Sequence, residues 1–326
     1  MKAAQLYGID DIRVEDIAMP EILDPHQVRL KVDAVGICGS DLHNFRTGQW
    51  MSKLPMVPGH EMTATVIELG SDVQTLAIGD KVVADSRVWC GECPACQQQR
   101  YNHCQALAFV GEAFAGGMSE QVVLHEHQLL KVPSDLDADI RVLSEPLGVS
   151  LRVIKQLQAT TGELVYVAGG GTIGGFAALM LQDIFKHPVQ LSEPNQTRFD
   201  KLSALMNLSQ QPQPFHFAID ATGIPSVINQ LIAQIEPGGR IALVGLPHHN
   251  NSIDILSVVE KEITLVGCSV FDGEQHEAIA YLAPLKDKLK SLISEPLSLD
   301  DIPQTYAKLC QGGVDYLKAV IHPNQH

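Results

Sequence analysis

The sequence predicts a two-domain α/β chain, a β-rich half built from short strands followed by a half in which strands and helices alternate. Three observations carry this prediction. At 326 residues the chain is too long for one ordinary core, and chains of this size divide into domains that each bury their own interior. Up to about residue 143 the apolar pattern is short, turn-punctuated and strand-like, whereas from about 164 buried strand patterns alternate with helical ones. Between them, Ser144-Glu145-Pro146-Leu147-Gly148-Val149 and a helical run over 150–158 form a bridge.

Composition narrows the partners. The chain is 45% hydrophobic and 19% charged, with no low-complexity tract, as expected of packed domains. Its formal net charge of −15 repels nucleic acid and anionic lipid, and no cluster of Lys or Arg makes a local exception. Small-molecule chemistry is therefore expected. The first residues reach Asp10 and Asp11 before an apolar core of secretory length can form, and no later stretch is long enough to span a bilayer. The cytoplasm is the expected location, and cytosolic thiols are kept reduced.

In the first half, Val28, Leu30 and Val32 alternate with Arg29, Lys31 and Asp33, the pattern of a strand with one buried face. Directly after it stands Gly36-Ile37-Cys38-Gly39-Ser40-Asp41-Leu42-His43, where a thiol, a hydroxyl, a carboxylate and an imidazole lie within six residues. A glycine turn with scattered polar residues is the alternative. Gly59-His60-Glu61 raises the octet above it, because it offers the imidazole and carboxylate that a zinc-bound thiolate at Cys38 needs as co-ligands. Strand patterns follow at 64–69 and, after the turn signal Gly79-Asp80, at 81–84. This half reads as an antiparallel barrel or sandwich.

Cys90, Cys93, Cys96 and Cys104 form C-x2-C-x2-C-x7-C in a loop containing glycine and proline. Four thiolates so spaced can converge on one tetrahedral ion, with two disulfides or free thiols as the alternatives. A four-thiolate site has no open position, so its expected role is structural. Cys268 and Cys310 have no evident partner and read as small buried hydrophobes.

In the second half, residues 164–168 form a buried-strand pattern and Gly169-Gly170-Gly171-Thr172-Ile173-Gly174 is the turn. Ile173, Phe176, Ala177, Met180, Leu181 and Ile184 then mark one face of a helix. Strand, glycines and helix in this order make a dinucleotide turn, in which missing Cβ atoms let the backbone approach a pyrophosphate at the helix N-terminus. The next strand, 189–193, ends on Glu193, nineteen residues past Gly174, where an acceptor for the adenosine ribose hydroxyls is needed. Glu193 would repel a 2′-phosphate and so favours NAD over NADP, although Arg198 lies near it in sequence and a solvated strand end is the alternative. Strands at 215–220, 240–245 and 263–267 bring the count to five where a full doubly wound domain has six. An edge strand and its helix are expected to be missing between Arg198 and Phe215, leaving a shallower adenine side. The tail from about Phe271 is helical and closes on a β-like segment at 316–321, expected to return to the first domain.

The octet, Gly59-His60-Glu61, Gly79-Asp80-Lys81-Val82, the four-cysteine lobe, Gly116-Gly117-Met118-Ser119-Glu120, Glu145-Pro146-Leu147-Gly148-Val149 and the glycine turn occur in one order and spacing. Together they resemble the zinc-dependent medium-chain dehydrogenases of the alcohol dehydrogenase superfamily, and among them the polyol (sorbitol-type) branch, over essentially the whole chain. The resemblance implies a GroES-like catalytic domain over 1–146 and 271–326, with a structural zinc lobe at 88–106. It implies a Rossmann cofactor domain over 147–270.

It also implies two zinc ions per chain, NAD as cofactor, and a dimer or tetramer. The catalytic zinc would be held by Cys38 and His60, with Glu61 binding it or exchanging with water and Glu145 ligating directly or through water. Ser40 would pass the substrate proton by way of the cofactor ribose to His43, since histidine titrates near neutrality. Asp41 would accept a hydrogen bond from His60 and fix its tautomer. Ser40 and Asp41 as plain turn residues are the alternative. Gly169, Gly171, Thr172, Ile173, Gly174, Glu193 and Arg198 would bind the dinucleotide, and Lys318, at a basic position that approaches the pyrophosphate in relatives, would join them unless it is a solvated surface lysine. Asn44, Phe45, Trp50 and Phe109 are candidates for the substrate pocket, with core packing the alternative for Phe45 and Trp50. The implied reaction is hydride transfer between NAD and a secondary alcohol, a polyol or sugar acid. Threonine or butanediol dehydrogenation and a non-enzymatic zinc-binding regulator are the rival readings.

Overall fold

The computed structural model describes every residue except 210, 212, 247–251, 313 and 326. It divides into two compact units, Met1–Glu145 with His276–His326, and Pro146–Gln275.

The first unit is organised on the strand Gln27–Gly36. It pairs antiparallel with Glu61–Leu69, with Gln121–His125 and with Val320–Ile321. Lys81–Ala84 and Leu129–Lys131 extend the same six-stranded sheet. Alternation along the central strand is as the sequence predicts: Val28, Leu30 and Val32 are fully buried while Lys31 is exposed. They join a core that also takes Val66, Val82 and Val122 from neighbouring strands. The register sets Gly36 opposite both Glu61 and Val320. A side chain at Gly36 would overlap the Glu61 carboxylate, so glycine is required there by close approach.

The chain leaves that strand through Cys38, which caps the helix Gly39–Thr47. Asp41, in the first turn, accepts the Cys38 N–H at 2.8 Å, and Gly48 ends the helix in the left-handed region with φ 64°. The octet is thus a strand end and a helix start. From the tail, the helix Ile302–Gln311 brings Tyr306 edge-on to Phe45, 5.4 Å between ring centroids, and the Tyr306 hydroxyl donates to Met118 Sδ. Phe45 is therefore core, and the tail buttresses the helix that carries Ser40 and His43.

The second unit is a parallel sheet of five strands among the described residues, in the spatial order Val189–Ser192, Val165–Ala168, Phe217–Asp220, Arg240–Leu243, Thr264–Gly267. In chain order this is 2-1-3-4-5, where the six-stranded nucleotide fold places one more strand outside the second. The strand and crossover expected to be missing are those of the adenine side, so Val189–Ser192, which leads into Glu193, is itself the sheet edge.

Three details differ from the sequence reading. The bridging helix spans Ser144–Leu157, starting six residues before 150, because Pro146 tolerates a first-turn position where its missing N–H costs nothing. In the helix Thr172–Asp183 every residue from Gly174 to Leu181 is buried, whereas Ile173 is half-buried and Ile184 lies past the helix end. A helix apolar all round is an interior helix, so one-faced periodicity was too narrow a description. Cys268 and Cys310 are half-buried rather than buried. The partial burial of Cys268 still pushes its thiol up to about 11.

Candidate functional site

Cys38, His60 and Glu61 converge although they come from two segments. Cys38 ends the strand hub, and Glu61 begins the paired strand opposite Gly36. One ligand atom from each lies within 4.8 Å of the other two. His60 Nδ1 and Glu61 Oε2 are buried and make no hydrogen bond. Buried polar atoms are nearly always paired, so orphans on two members of so tight a trio mark a place for a cation. Thiolate, imidazole and carboxylate are the donor types zinc takes, and three protein ligands leave an open position.

The surrounding charges are arranged in pairs. Lys318, 2% exposed, donates to Glu61 Oε1 at 2.6 Å and to the Ile37 carbonyl at 2.9 Å. Burial opposes its charge, but Glu61 and Cys38 outweigh it and raise its pKa. Lys318 is therefore buried beside the candidate zinc ligands with its ammonium committed to Glu61, which removes the solvated-surface alternative. Burial likewise opposes protonation of His60, yet Asp41 and Cys38 hold the imidazole well above its ordinary pKa. Asp41 Oδ1 is 3.8 Å from His60 Nδ1, an ion-pair distance too long for the expected hydrogen bond, because its other oxygen is held by the Cys38 N–H. Glu145, 5% exposed in the first turn of its helix, lies outside the tight trio. Ser86 Oγ donates to it at 3.1 Å, and burial pushes its carboxyl up to about 7.

His43 is 9% exposed, with Nε2 2.8 Å from Gln49 Oε1 and its ring stacked on Trp50 at 4.2 Å. Ser40 is half-buried one turn earlier on the same helix. Phe109 is half-buried and paired with Arg87 across a two-stranded ribbon.

All seven cysteines are free thiols, which removes the disulfide alternative for the lobe. The sulfurs of Cys90, Cys93, Cys96 and Cys104 lie within 4.8 Å of one another, with Cys104 to Cys90 at 3.5 Å and Cys90 to Cys96 at 4.0 Å. Tetrahedral zinc with bonds of about 2.3 Å sets sulfurs about 3.8 Å apart, so the tetrad has the size of the ion. Backbone N–H groups of Cys90, Cys93 and Ala106 donate to sulfurs at 3.4 Å. N–H groups of Gln105 and Cys96 lower Cys93 to about 6, while burial raises Cys96 to about 12. Four crowded thiols that cannot all ionise alone are a charge problem that a divalent cation resolves. Trp89, stacked on Tyr101 at 4.5 Å, packs with Ala95 and Leu107 against the cysteines.

In the second unit, Gly169 has φ 93°, and a Cβ at Gly174 would overlap the Gly169 carbonyl. Gly171 caps the helix Thr172–Asp183, and nothing lies within 4 Å of where its Cβ would be, so the turn presents open backbone at a helix N-terminus. Glu193 follows the edge strand as predicted. Its oxygens accept the Gly170 N–H at 2.7 Å and the Asn195 N–H at 2.8 Å, with Arg198 Nη1 at 3.4 Å. Glu193 thus ties the glycine turn to the following helix. Asp220, fully buried at the end of the strand Phe217–Asp220, accepts from the Thr222 hydroxyl at 2.6 Å and the Gly223 N–H at 3.1 Å and shapes the neighbouring turn. Sequence reading missed it, since a single Asp ending a strand carries no signal. Ser86 and Glu112 were missed for the same reason.

Comparison with known proteins agrees with this geometry. Residues 24–134 match the alcohol dehydrogenase GroES-like domain family and residues 194–285 the zinc-binding dehydrogenase family. D-xylulose reductase A of Aspergillus oryzae is 27% identical over 332 residues, 94% of this chain and 93% of the relative. Sorbitol dehydrogenase of Bacillus subtilis is 26% identical over 346 residues, 100% of this chain and 98% of the relative. The crystal structure of 2R,3R-butanediol dehydrogenase from Bacillus subtilis superposes with a TM-score of 0.89 at 26% identity, covering 99% of each chain. With relatives matched from end to end, the chain carries the GroES-like domain of the alcohol dehydrogenases and the zinc-binding dehydrogenase domain, and is an oxidoreductase similar to the polyol dehydrogenases.

Proposed function

We propose that the protein oxidises a secondary hydroxyl of a polyol or sugar acid to a ketone, with NAD as hydride acceptor, at a zinc held by Cys38, His60 and Glu61. The observation that carries this reading is the convergence of one donor atom from each of those three residues within 4.8 Å, with buried, unpaired polar atoms on two of them. Zinc bound there supplies Lewis acidity, which lowers the pKa of an alcohol beside it.

The chain's own residues do the rest. Lys318 neutralises Glu61 and fixes one of its oxygens, leaving Oε2 free toward the pocket. Asp41 offsets charge on His60 through space and holds Cys38 at the helix start through its N–H. Glu145, protonating near neutrality and steadied by Ser86, is placed to bind the ion directly or to hold a water beside it. Ser40 and His43, one turn apart on one helix, take the substrate proton outward toward Gln49. The unit Pro146–Gln275 takes the dinucleotide, with the glycine turn from Gly169 to Gly174, open at Gly171, facing the pyrophosphate and Glu193 and Arg198 on the adenosine side. The Glu193 carboxylate disfavours a 2′-phosphate and supports NAD over NADP. Cys90, Cys93, Cys96 and Cys104 hold a second, structural zinc.

Two further readings belong with this one. Seven free thiols suit the cytoplasm, and no helix among the described residues is long and apolar enough to cross a membrane. A homo-oligomer is supported by Ile255, Leu256 and Val259, 58–68% exposed on one short helix, and by the strand Thr264–Gly267, paired on one side only among the described residues.

Metal analysis of the wild type and of Cys38→Ala, together with NADH absorbance on a panel of polyols, sugar acids, diols and hydroxy amino acids, tests the reading. Wild type should hold two zinc ions per chain and the variant one. Loss of both ions, or of neither, would undo the two-site assignment.

A further inference from the structure

Glu112 is a carboxylate beside the candidate zinc pocket that none of the steps above uses. It sits on a tight turn closed by Gly111, with φ 82°, whose N–H donates to the Phe114 carbonyl at 2.7 Å. The turn is pinned to the chain just past His43. Ser52 donates both its N–H and its hydroxyl to the Glu112 carbonyl at 3.2 Å, and Asn44 Nδ2 donates to Glu112 Oε1 at 3.2 Å. Asn44 itself is buried, and its Oδ1 is taken by the Trp50 N–H at 3.1 Å. Asn44 is the only hydrogen-bonding partner of the Glu112 side chain among the described residues, so Oε2 remains available. The carboxylate is half-buried, and its charge reaches both His60 and Asp41. Burial raises its pKa, against the opposing pull of His60.

We propose that Glu112 determines substrate class: its free oxygen accepts a hydrogen bond from a second hydroxyl of the substrate and repels a carboxylate or phosphate there, so neutral polyols are used and sugar acids and sugar phosphates are rejected. This rests on the dehydrogenase reading above and sharpens it. Two features of the site support it. The acid is held through Oε1 by Asn44, the residue adjacent to His43. Among the described residues no Lys or Arg side chain pairs with it, so no salt bridge occupies its oxygens before substrate arrives. A hydrogen bond to a charged acceptor discriminates strongly between substrates that can and cannot donate, and like charges in a confined site add to that.

The test compares a neutral polyol with the aldonic acid of matching chain length in zinc-loaded wild type, Glu112→Gln and Glu112→Lys. Zinc content and thermal midpoint are measured on each. Wild type should favour the polyol. Glu112→Gln should raise the polyol KM about tenfold with kcat nearly unchanged, and Glu112→Lys should shift the aldonate-to-polyol ratio of kcat/KM by about a hundredfold toward the acid. The thermal shift given by each compound in the presence of NAD should follow the same order. If the ratio moves less than about twofold in both folded, zinc-replete variants while wild type turns over the polyol, the role of Glu112 is overturned and the dehydrogenase reading stands. If Glu112→Lys does not fold, Glu112→Gln decides alone. Wild type that oxidises no alcohol on the panel overturns the dehydrogenase reading and this inference with it.

Discussion

Glu61 and Lys318 are 1% and 2% exposed, and their 2.6 Å contact places an ion pair at the wall of the zinc pocket. Removing one partner from such a pair leaves the other charge buried, at a cost of about 3–5 kcal/mol. Lys318→Met should therefore lower the thermal midpoint most in chelator-treated protein, and less in zinc-loaded protein, where the ion takes over the neutralisation of Glu61. Equal losses in the two states would show that Lys318 acts independently of the metal. Gly36→Ala should damage the same place from the other side, since its methyl group meets the Glu61 carboxylate. Its expected readout is reduced zinc content at this site with the cysteine lobe still loaded. Zinc also requires neutral imidazole, and the metal-free pocket holds His60 protonated to higher pH than usual. Affinity for this zinc should fall as pH decreases through that raised pKa, measurable by competition with a chromogenic chelator.

At the scale of elements, the lobe 88–106 should depend on a metal because its own core is three cysteines with Trp89, Ala95, Tyr101 and Leu107. Cys96→Ser should release one zinc and open the lobe to proteolysis while leaving the other ion in place, the reverse of Cys38→Ala. The tail helix Ile302–Gln311 has a different support. Asp301, just before it, accepts the Ser298 N–H at 2.8 Å and hydroxyl at 2.7 Å, and the Ser298 N–H and hydroxyl hold its carboxyl below the ordinary value. A depressed carboxylate pKa contributes stability above its unfolded value and loses it as pH falls through the folded one. Asp301→Asn should cost about 1 kcal/mol at neutral pH, and the gap to wild type should close in acid melts. The shortened stretch after Arg198 acts on a third element: with Val189–Ser192 left as the sheet edge, NAD should bind more weakly than in six-stranded relatives, and an equal calorimetric affinity would count against this.

At the scale of the whole molecule, the exposed apolar triplet Ile255, Leu256 and Val259 is more than a monomer of this net charge needs at its surface. Leu256→Asp should lower the sedimentation mass toward that of a single 35.4 kDa chain without altering zinc content. A wild type that sediments as a monomer would remove the oligomer reading.

The elements and their class were legible in the sequence wherever the signal was local. Alternation at Val28, Leu30 and Val32, the cysteine spacing and the strand–glycine–helix order are each written within a few residues, and physics acts on them at that range. The five-strand count followed from the same local patterns and held among the described residues. Partners stayed hidden where a residue's neighbours come from distant segments. Lys318 looks like any lysine before a closing strand, and only the register that sets Val320 and Glu61 across from Gly36 buries it against a carboxylate. Asp41 was expected to bond His60, but the helix start claimed its oxygen first. Glu112 carries no motif, and its contact with Asn44 spans 68 residues. The sequence by itself determined the domain classes, both sets of metal-ligand types and the dinucleotide turn, because spacing along the chain is enough to specify them. Only the tertiary structure decided which charges meet and which are left unpaired, because an ionic partner is chosen by distance in space and by burial, and neither is visible along the chain.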